Sequence, residues 1–209
     1  MSRLNTSLFA VAFALLTACS ETATDPALKA TTLDVLGPGV VTRHSNVQLT
    51  RDAKAAFARF KDSSESYGAM YVRSNGSGWS WSVAHFTLED AKAVANTRCN
   101  AVTETRCTLY ATLAPAEPAP SSAVPAYIED DFRSAQRNNG AGRAFAVAVN
   151  PARQSGWGWN YSTAREASRA AVRSCEEQVI ETKKKMEPQI RDALDKAGLF
   201  TCRPFATYR

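Results

Sequence analysis

The sequence has little of what most active sites are built from. It contains only two histidines in 209 residues, His44 and His85, and it has no Gly-x-Ser-x-Gly elbow, phosphate-binding loop or cysteine and histidine cluster with zinc-site spacing. For His85, a general base is weighed against a partly exposed loop histidine, and the loop histidine is favoured. The sequence therefore predicts no catalytic residue, no metal site and no cofactor.

Charge of one sign is also scarce. The formal net charge is +5 at pH 7, and this small excess does not predict a nucleic-acid partner. Hydrophobic residues make up 44% of the chain and charged residues 22%, which is typical of a globular protein and not of a disordered chain or a coiled coil. Beyond the N-terminus no apolar run approaches the length of a membrane-spanning helix.

The N-terminus has the pattern of an export signal. One positive charge, Arg3, precedes a short apolar stretch at residues 8–16 and the run Leu-Thr-Ala-Cys at residues 16–19. These last four residues resemble the bacterial lipobox, which implies that Cys19 is lipidated (palmitate among its acyl chains) and becomes the first mature residue. Ser20 follows, and not the aspartate of inner-membrane retention, so the resemblance implies an outer-membrane lipoprotein facing the periplasm of a Gram-negative host. A simple secretory signal is the alternative.

The remainder of the chain contains an internal duplication. Gly-Trp-Ser-Trp at residues 78–81 matches Gly-Trp-Gly-Trp at residues 156–159, and each motif is followed by a threonine-led, alanine-containing segment and then a cysteine. We therefore divide the chain into five segments: a signal peptide 1–18, a tether 19–49, a first unit 50–113, a proline-rich linker 114–126, and a second unit 127–209 with an insertion at about 176–197.

Each unit has the pattern of a helix followed by β-β-α-β. Apolar residues alternate along each tryptophan-bearing hairpin, and the Asn75-Gly76 pair is a strong hairpin signal. Capping-box patterns at Thr87 and Thr163 predict the helix that follows each hairpin. The expected fold class is α+β: two tandem units with antiparallel sheets and helices packed on one face.

The cysteine count fits an oxidising compartment. Setting Cys19 aside for lipidation leaves an even number of four, which allow three disulfide pairings: Cys99, Cys107, Cys175 and Cys202. The repeat favours one bond within each unit, Cys99–Cys107 and Cys175–Cys202, over metal ligation. Each such bond typically adds about 2–4 kcal/mol of stability.

A Gly-Trp-x-Trp hairpin, an alanine-rich helix and two cysteines together resemble an uncharacterised family of small secreted bacterial domains. The resemblance covers roughly residues 67–111 and 143–206, and the insertion after Cys175 departs from the compact pattern. It implies the fold of each unit and carries no catalytic residues.

Two features are candidates for binding. The tryptophans of the hairpins either form the core beneath the following alanine-rich helix, which we favour, or offer a ligand platform at Trp79 and Trp157. The run Lys183, Lys184, Lys185 in the insertion is either a solvated helix face, which we favour, or a docking patch for an acidic partner.

The expected function is non-catalytic binding at the cell envelope. The partner would be peptidoglycan or an envelope protein, including a hydrolase or toxin that this lipoprotein inhibits in the manner of an immunity protein, with the membrane reached through Cys19. Two alternatives remain: an envelope enzyme with a cleft between the units, and a structural outer-membrane accessory.

Overall fold

The structure is a computed structural model that describes residues 33–63, 65–102, 105–120 and 123–208. The predicted signal peptide and lipidation site lie outside these residues. Within them, no helix has the length and apolar character needed to cross a membrane. The secondary structure comprises twelve main elements and a short 3-10 turn at Ala126–Ile128: β1 (Gly39–Arg43), α1 (Arg51–Lys61), β2 (Gly68–Arg73), β3 (Trp79–Ser82), α2 (Leu88–Ala101), β4 (Cys107–Pro115), α3 (Glu129–Asn138), β5 (Ala144–Val149), β6 (Ser155–Tyr161), α4 (Ala164–Lys185), α5 (Pro188–Lys196) and β7 (Arg203–Tyr208).

The strands form two antiparallel sheets with the same local topology. In the first, β2 lies between its hairpin partner β3 and the later strand β4, and β1 extends the sheet beyond β4. In the second, β5 lies in the same way between β6 and β7. The α+β class with two tandem β-β-α-β units is confirmed.

Helices pack on both faces of each sheet, which corrects the expectation of one face. In the first unit Met70 and Val72 of β2 pack toward α1, whereas Ala69, which precedes them, and Tyr71, which lies between them, pack toward α2. The alternation of a strand makes this possible because successive side chains point to opposite faces. The second unit repeats the arrangement, with α3 against the large side chains of β5 and α4 against its alanines. As a result β5 is buried along its whole length.

Local sequence signals set the helix starts as predicted. The hydroxyls of Thr50, Thr87 and Thr163 each accept a hydrogen bond from a backbone N–H in the first turn. A full capping box forms only at Thr163, where the Glu166 carboxylate accepts in return from the threonine backbone. The side chain of Asp90 is one methylene shorter than that of Glu166, and the structure shows no return bond there.

Each unit is closed by a disulfide within itself. Cys99 at the end of α2 bonds to Cys107 at the start of β4, and Cys175 in α4 bonds to Cys202 just before β7. These are the pairs that the repeat favours, and the predicted presence of disulfides is confirmed. The longer second loop accommodates the end of α4 and the whole of α5.

The two units share hydrophobic contacts. Phe86, from the first unit, belongs to the hydrophobic cluster between the second sheet and helix α3. Val94 of α2 packs in a further cluster with Ala152, in the β5–β6 loop, and with Leu194 of α5. These contacts place the middle of α2 beside the β5–β6 loop.

Candidate functional site

The two tryptophan pairs have different environments although their motifs match. In the first unit Trp79 and Trp81 pack against the core that lies under α1, and the Trp81 ring lies 6.2 Å from the ring of Phe60, centroid to centroid. The prediction that the following alanine-rich helix covers them is wrong, because that helix covers the opposite hairpin face. On that face Ala69 is small and packs with Ala91 and Ala95 of the helix, and its strand partner Ser82 is buried.

In the second unit the covering helix leaves part of the hairpin open. Trp157 packs against the core and is half-buried, but Trp159 has 48% of its surface exposed. The reason lies in the helix. In the first unit the last turns of α1 bring Phe60 against Trp81. In the second unit α3 instead places Ser134 and Asn138 in the space beside Trp159.

This space is a groove of about 520 Å³ along the outer edge of β6, with α3 on one side and α4 on the other. β6 pairs only with β5 among the described strands, so its second edge is unpaired. Most of the groove's side chains are polar, and they come from α3, the β5–β6 hairpin and α4: Asp131, Ser134, Ala135, Asn138, Arg153, Gln154, Ser155, Trp157, Trp159, Ser174, Gln178 and Thr182.

Two residues that line the groove hold buried polar atoms without a partner. These atoms are the indole nitrogen Nε1 of Trp157 and the amide oxygen Oε1 of Gln154. The amide nitrogen of Gln154 donates to the Ala152 carbonyl at 2.8 Å, which fixes the orientation of the amide. Buried polar groups are nearly always hydrogen-bonded in proteins, so this unpaired donor and this unpaired acceptor are unusual features of the residues that line the groove.

The β5–β6 loop is held in one conformation by Asn150. The backbone of Asn150 donates to Gln154, its side-chain oxygen accepts from the Gln154 N–H at 3.1 Å, and its side-chain nitrogen donates to the Phe200 carbonyl. At the tip Arg153 adopts φ +73°, a left-handed conformation that non-glycine residues seldom occupy. The Arg153 guanidinium lies over the ring of Tyr127, 5.3 Å from its centroid.

His85 is buried, not partly exposed as expected. It is 1% exposed, and its Nε2 lies 2.6 Å from Oγ of Ser82, which is 3% exposed. Burial, followed by the charges of Arg153 and Arg98, lowers the pKa of His85 from 6.5 to about 3. The ring is therefore neutral at neutral pH, and this serine–histidine pair is closed off from any substrate.

The lysine run of the insertion lies outside the groove. Lys183 forms an ion pair with Asp195 of α5 at 2.7 Å and lies over the ring of Phe200. Lys184 forms an ion pair with Glu181 at 2.6 Å. Two of the three lysines are thus paired with carboxylates of the insertion itself, which agrees with the favoured interpretation of a helix face.

The sequence identified Trp157 but missed its polar neighbours in the groove. One signal was available: the last turns of α1 contain Phe57 and Phe60, whereas those of α3 contain no aromatic residue. That difference marks the second hairpin as the less covered one.

The described residues contain no group of three or more histidine, cysteine, aspartate or glutamate side chains that could hold a metal ion. The chain matches no family model, no curated protein and no solved structure. The resemblance to small secreted bacterial domains thus stays a prediction, and the function must be inferred from the geometry of the groove.

Proposed function

We propose that this protein is a non-catalytic envelope lipoprotein, anchored through Cys19 in the outer membrane and facing the periplasm, whose second unit binds the saccharide chain of peptidoglycan. One observation carries the proposal: the exposed indole of Trp159 shares a groove with the unpaired polar atoms of Trp157 and Gln154.

The chemistry of the groove fits a sugar polymer. A pyranose ring has an apolar C–H face that packs on the electron-rich face of an indole, and Trp159 offers such a face. Sugar hydroxyls donate and accept hydrogen bonds in the plane of the ring, where planar amides and carboxylates such as Gln154, Asn138 and Asp131 bind well. The four residue steps from Ser155 to Trp159 span about 13 Å at roughly 3.3 Å per residue. The groove is therefore longer than one sugar ring.

The burial of the serine–histidine pair favours binding over catalysis as the function. The serine–histidine pair of Ser82 and His85 resembles a nucleophile with its base, but both side chains are nearly inaccessible. The groove itself contains Asp131 and no histidine. Among the described residues, the groove therefore offers no serine–histidine pair to support the alternative of an envelope enzyme with a cleft between the units.

A protein partner is the second candidate. The unpaired edge of β6 could accept an extended peptide as an additional strand, and inhibition of a hydrolase or toxin would then use backbone hydrogen bonds. The polar lining and the unpaired side-chain atoms favour the saccharide, because strand addition leaves those atoms unused. A structural accessory would bind neither ligand.

The test compares the two tryptophan pairs. Trp159→Ala should weaken binding of a peptidoglycan tetrasaccharide at least tenfold, since it removes the stacking surface, while lowering the free energy of unfolding by less than about 1 kcal/mol. Trp81→Ala, the matched change in the first unit, should cost about 2–4 kcal/mol through lost packing with Phe60 and leave the affinity of the folded fraction unchanged. Calorimetric titration and urea unfolding of the full chain in detergent measure both effects.

Unchanged tetrasaccharide binding by the Trp159→Ala variant would exclude the groove as the binding site. Binding of an extended envelope peptide, with no binding of the tetrasaccharide, would instead support the inhibitor alternative. Binding of neither ligand would leave the structural role.

A separate prediction concerns the anchor. Cys19→Ser should abolish incorporation of a fatty-acid probe, because serine has no thiol to accept the lipid, and should leave uncleaved precursor or released protein. Metabolic labelling followed by membrane fractionation measures this result. Wild-type labelling of the variant would show that the lipobox interpretation is wrong.

A further inference from the structure

Two arginines from different units meet beside the groove. The packing of Val94 on Ala152 brings α2 against the β5–β6 loop. Arg98 lies one helical turn beyond Val94, and Arg153 follows Ala152 directly, so both arginines lie where the two units pack together.

In the part of the chain that the structure describes, no carboxylate forms an ion pair with Arg98 or Arg153. Arg98 is half-buried, and burial together with the charge of Arg153 lowers its pKa. The adjacent His85 is neutral and offers no compensation. Two neighbouring positive charges that no ion pair compensates are unfavourable in the free protein and become favourable when an anion binds.

The position of Arg153 is fixed before any ligand arrives. Its left-handed backbone conformation costs free energy, and such strain is typically retained where it positions a functional group. The ring of Tyr127 supports its guanidinium from one side. Because Arg153 also lines the groove, an anion bound there would belong to the same ligand as the sugar rings.

We propose that the saccharide bound in this groove is acidic, and that its carboxylate is held by Arg153 with Arg98 behind it. This inference rests on the proposed function and names the ligand class: an amino-sugar chain carrying a free carboxylate, as the lactyl ether of peptidoglycan does on muramic acid residues that bear no stem peptide. The groove's own carboxylate, Asp131, is exposed and forms no ion pair with Arg153, so it remains free to accept bonds from sugar hydroxyls.

The experiment uses two tetrasaccharides of alternating N-acetylglucosamine and N-acetylmuramic acid that differ only at the lactyl group. One carries the free carboxylate and the other the neutral carboxamide. The full chain in detergent should bind the acid at least tenfold more tightly than the amide, and the preference should shrink as salt rises. Arg153→Gln and Arg98→Gln should each remove most of that preference while leaving the affinity for the amide unchanged. Arg51→Gln, which changes a fully exposed arginine of α1, should preserve it.

Three other outcomes are possible, and they are distinguishable from one another. Equal binding of acid and amide would eliminate the anion site and leave the proposed function intact. Binding of neither tetrasaccharide would refute the proposed function. In that case the anion site is tested with D-lactate alone. If D-lactate shifts the side-chain Nε signals of Arg98 and Arg153 in NMR spectra, the anion site is supported without the sugar. Unshifted signals would eliminate the anion site. Equal loss of both ligands in the Arg153→Gln variant would show that Arg153 only shapes the loop.

Discussion

Gly156→Ala is expected to lower the free energy of unfolding by about 3 kcal/mol or more, the upper end of the cost of overpacking a core. A Cβ added at Gly156 would lie 2.0 Å from the backbone nitrogen of Cys175 and 2.3 Å from the carbonyl oxygen of Ala171. Both atoms belong to the backbone of α4, which the Cys175–Cys202 disulfide also fixes. The helix would have to move away from β6 to admit one methyl group.

The internal repeat supplies a matched control for this change. Gly78 occupies the equivalent position in the first unit, but there the three atoms nearest to an added Cβ all belong to the side chain of Arg73, which can move aside. Gly78→Ala should therefore cost less than about 1 kcal/mol, and Gly37→Ala, with no atom within 4 Å of the added Cβ, should be nearly neutral. Urea unfolding of the three variants measures the differences. Equal losses at positions 156 and 78 would refute the close contact between α4 and β6.

His85 should make the protein lose stability steeply as the pH falls from 6.5 toward 3. Its pKa is about 3 in the folded chain against 6.5 when unfolded, so over this range the unfolded state binds a proton that the folded state excludes. The contribution of His85 is fully present above pH 6.5 and is lost at about 1.4 kcal/mol per pH unit, up to about 4–5 kcal/mol near pH 3. A charge there would face Arg98 and Arg153, with the Ser82 hydroxyl as its close neighbour.

The variant His85→Gln separates the pH dependence of stability due to His85 from the pH dependence due to carboxylates that also titrate at low pH. It should be less stable than the wild type at pH 7 because the contact with Ser82 changes, but its free energy of unfolding should fall less steeply toward low pH. Urea unfolding at a series of pH values gives both slopes, and NMR titration of the ring protons reports the pKa directly. A folded-state pKa near 6.5, or equal slopes in the two proteins, would contradict the prediction.

Much of the fold could be predicted because its signals are local. The threonine caps at Thr50, Thr87 and Thr163 are sequence patterns of a few residues, and the duplicated motifs imply equivalent topology in the two units. The disulfide pairs follow from the same repeat. Each of these features depends on residues within one unit, so the sequence contains the information without knowledge of the packing.

The environment of the tryptophans could not be predicted because it depends on packing between distant elements. The period of a strand places Trp79 and Trp81 on one face, but it does not determine which helix covers that face. The environment of His85 likewise depends on the second unit, which supplies the Pro151 backbone as a hydrogen-bond partner and the charge of Arg153. The groove exists because the α3 segment ends without the aromatic residue that α1 contributes, a comparison that requires the two helices to be placed on equivalent faces.

The unequal exposure of the four tryptophans also makes the protein its own optical reporter. Trp79, Trp81 and Trp157 pack against hydrophobic clusters, so their emission should lie at shorter wavelength and be protected from aqueous quenchers. Trp159, with 48% of its surface exposed, should account for the long-wavelength, readily quenched component. A molecule that enters the groove would cover that indole first. Occupancy can therefore be followed by iodide quenching in the unmodified chain, without any attached dye.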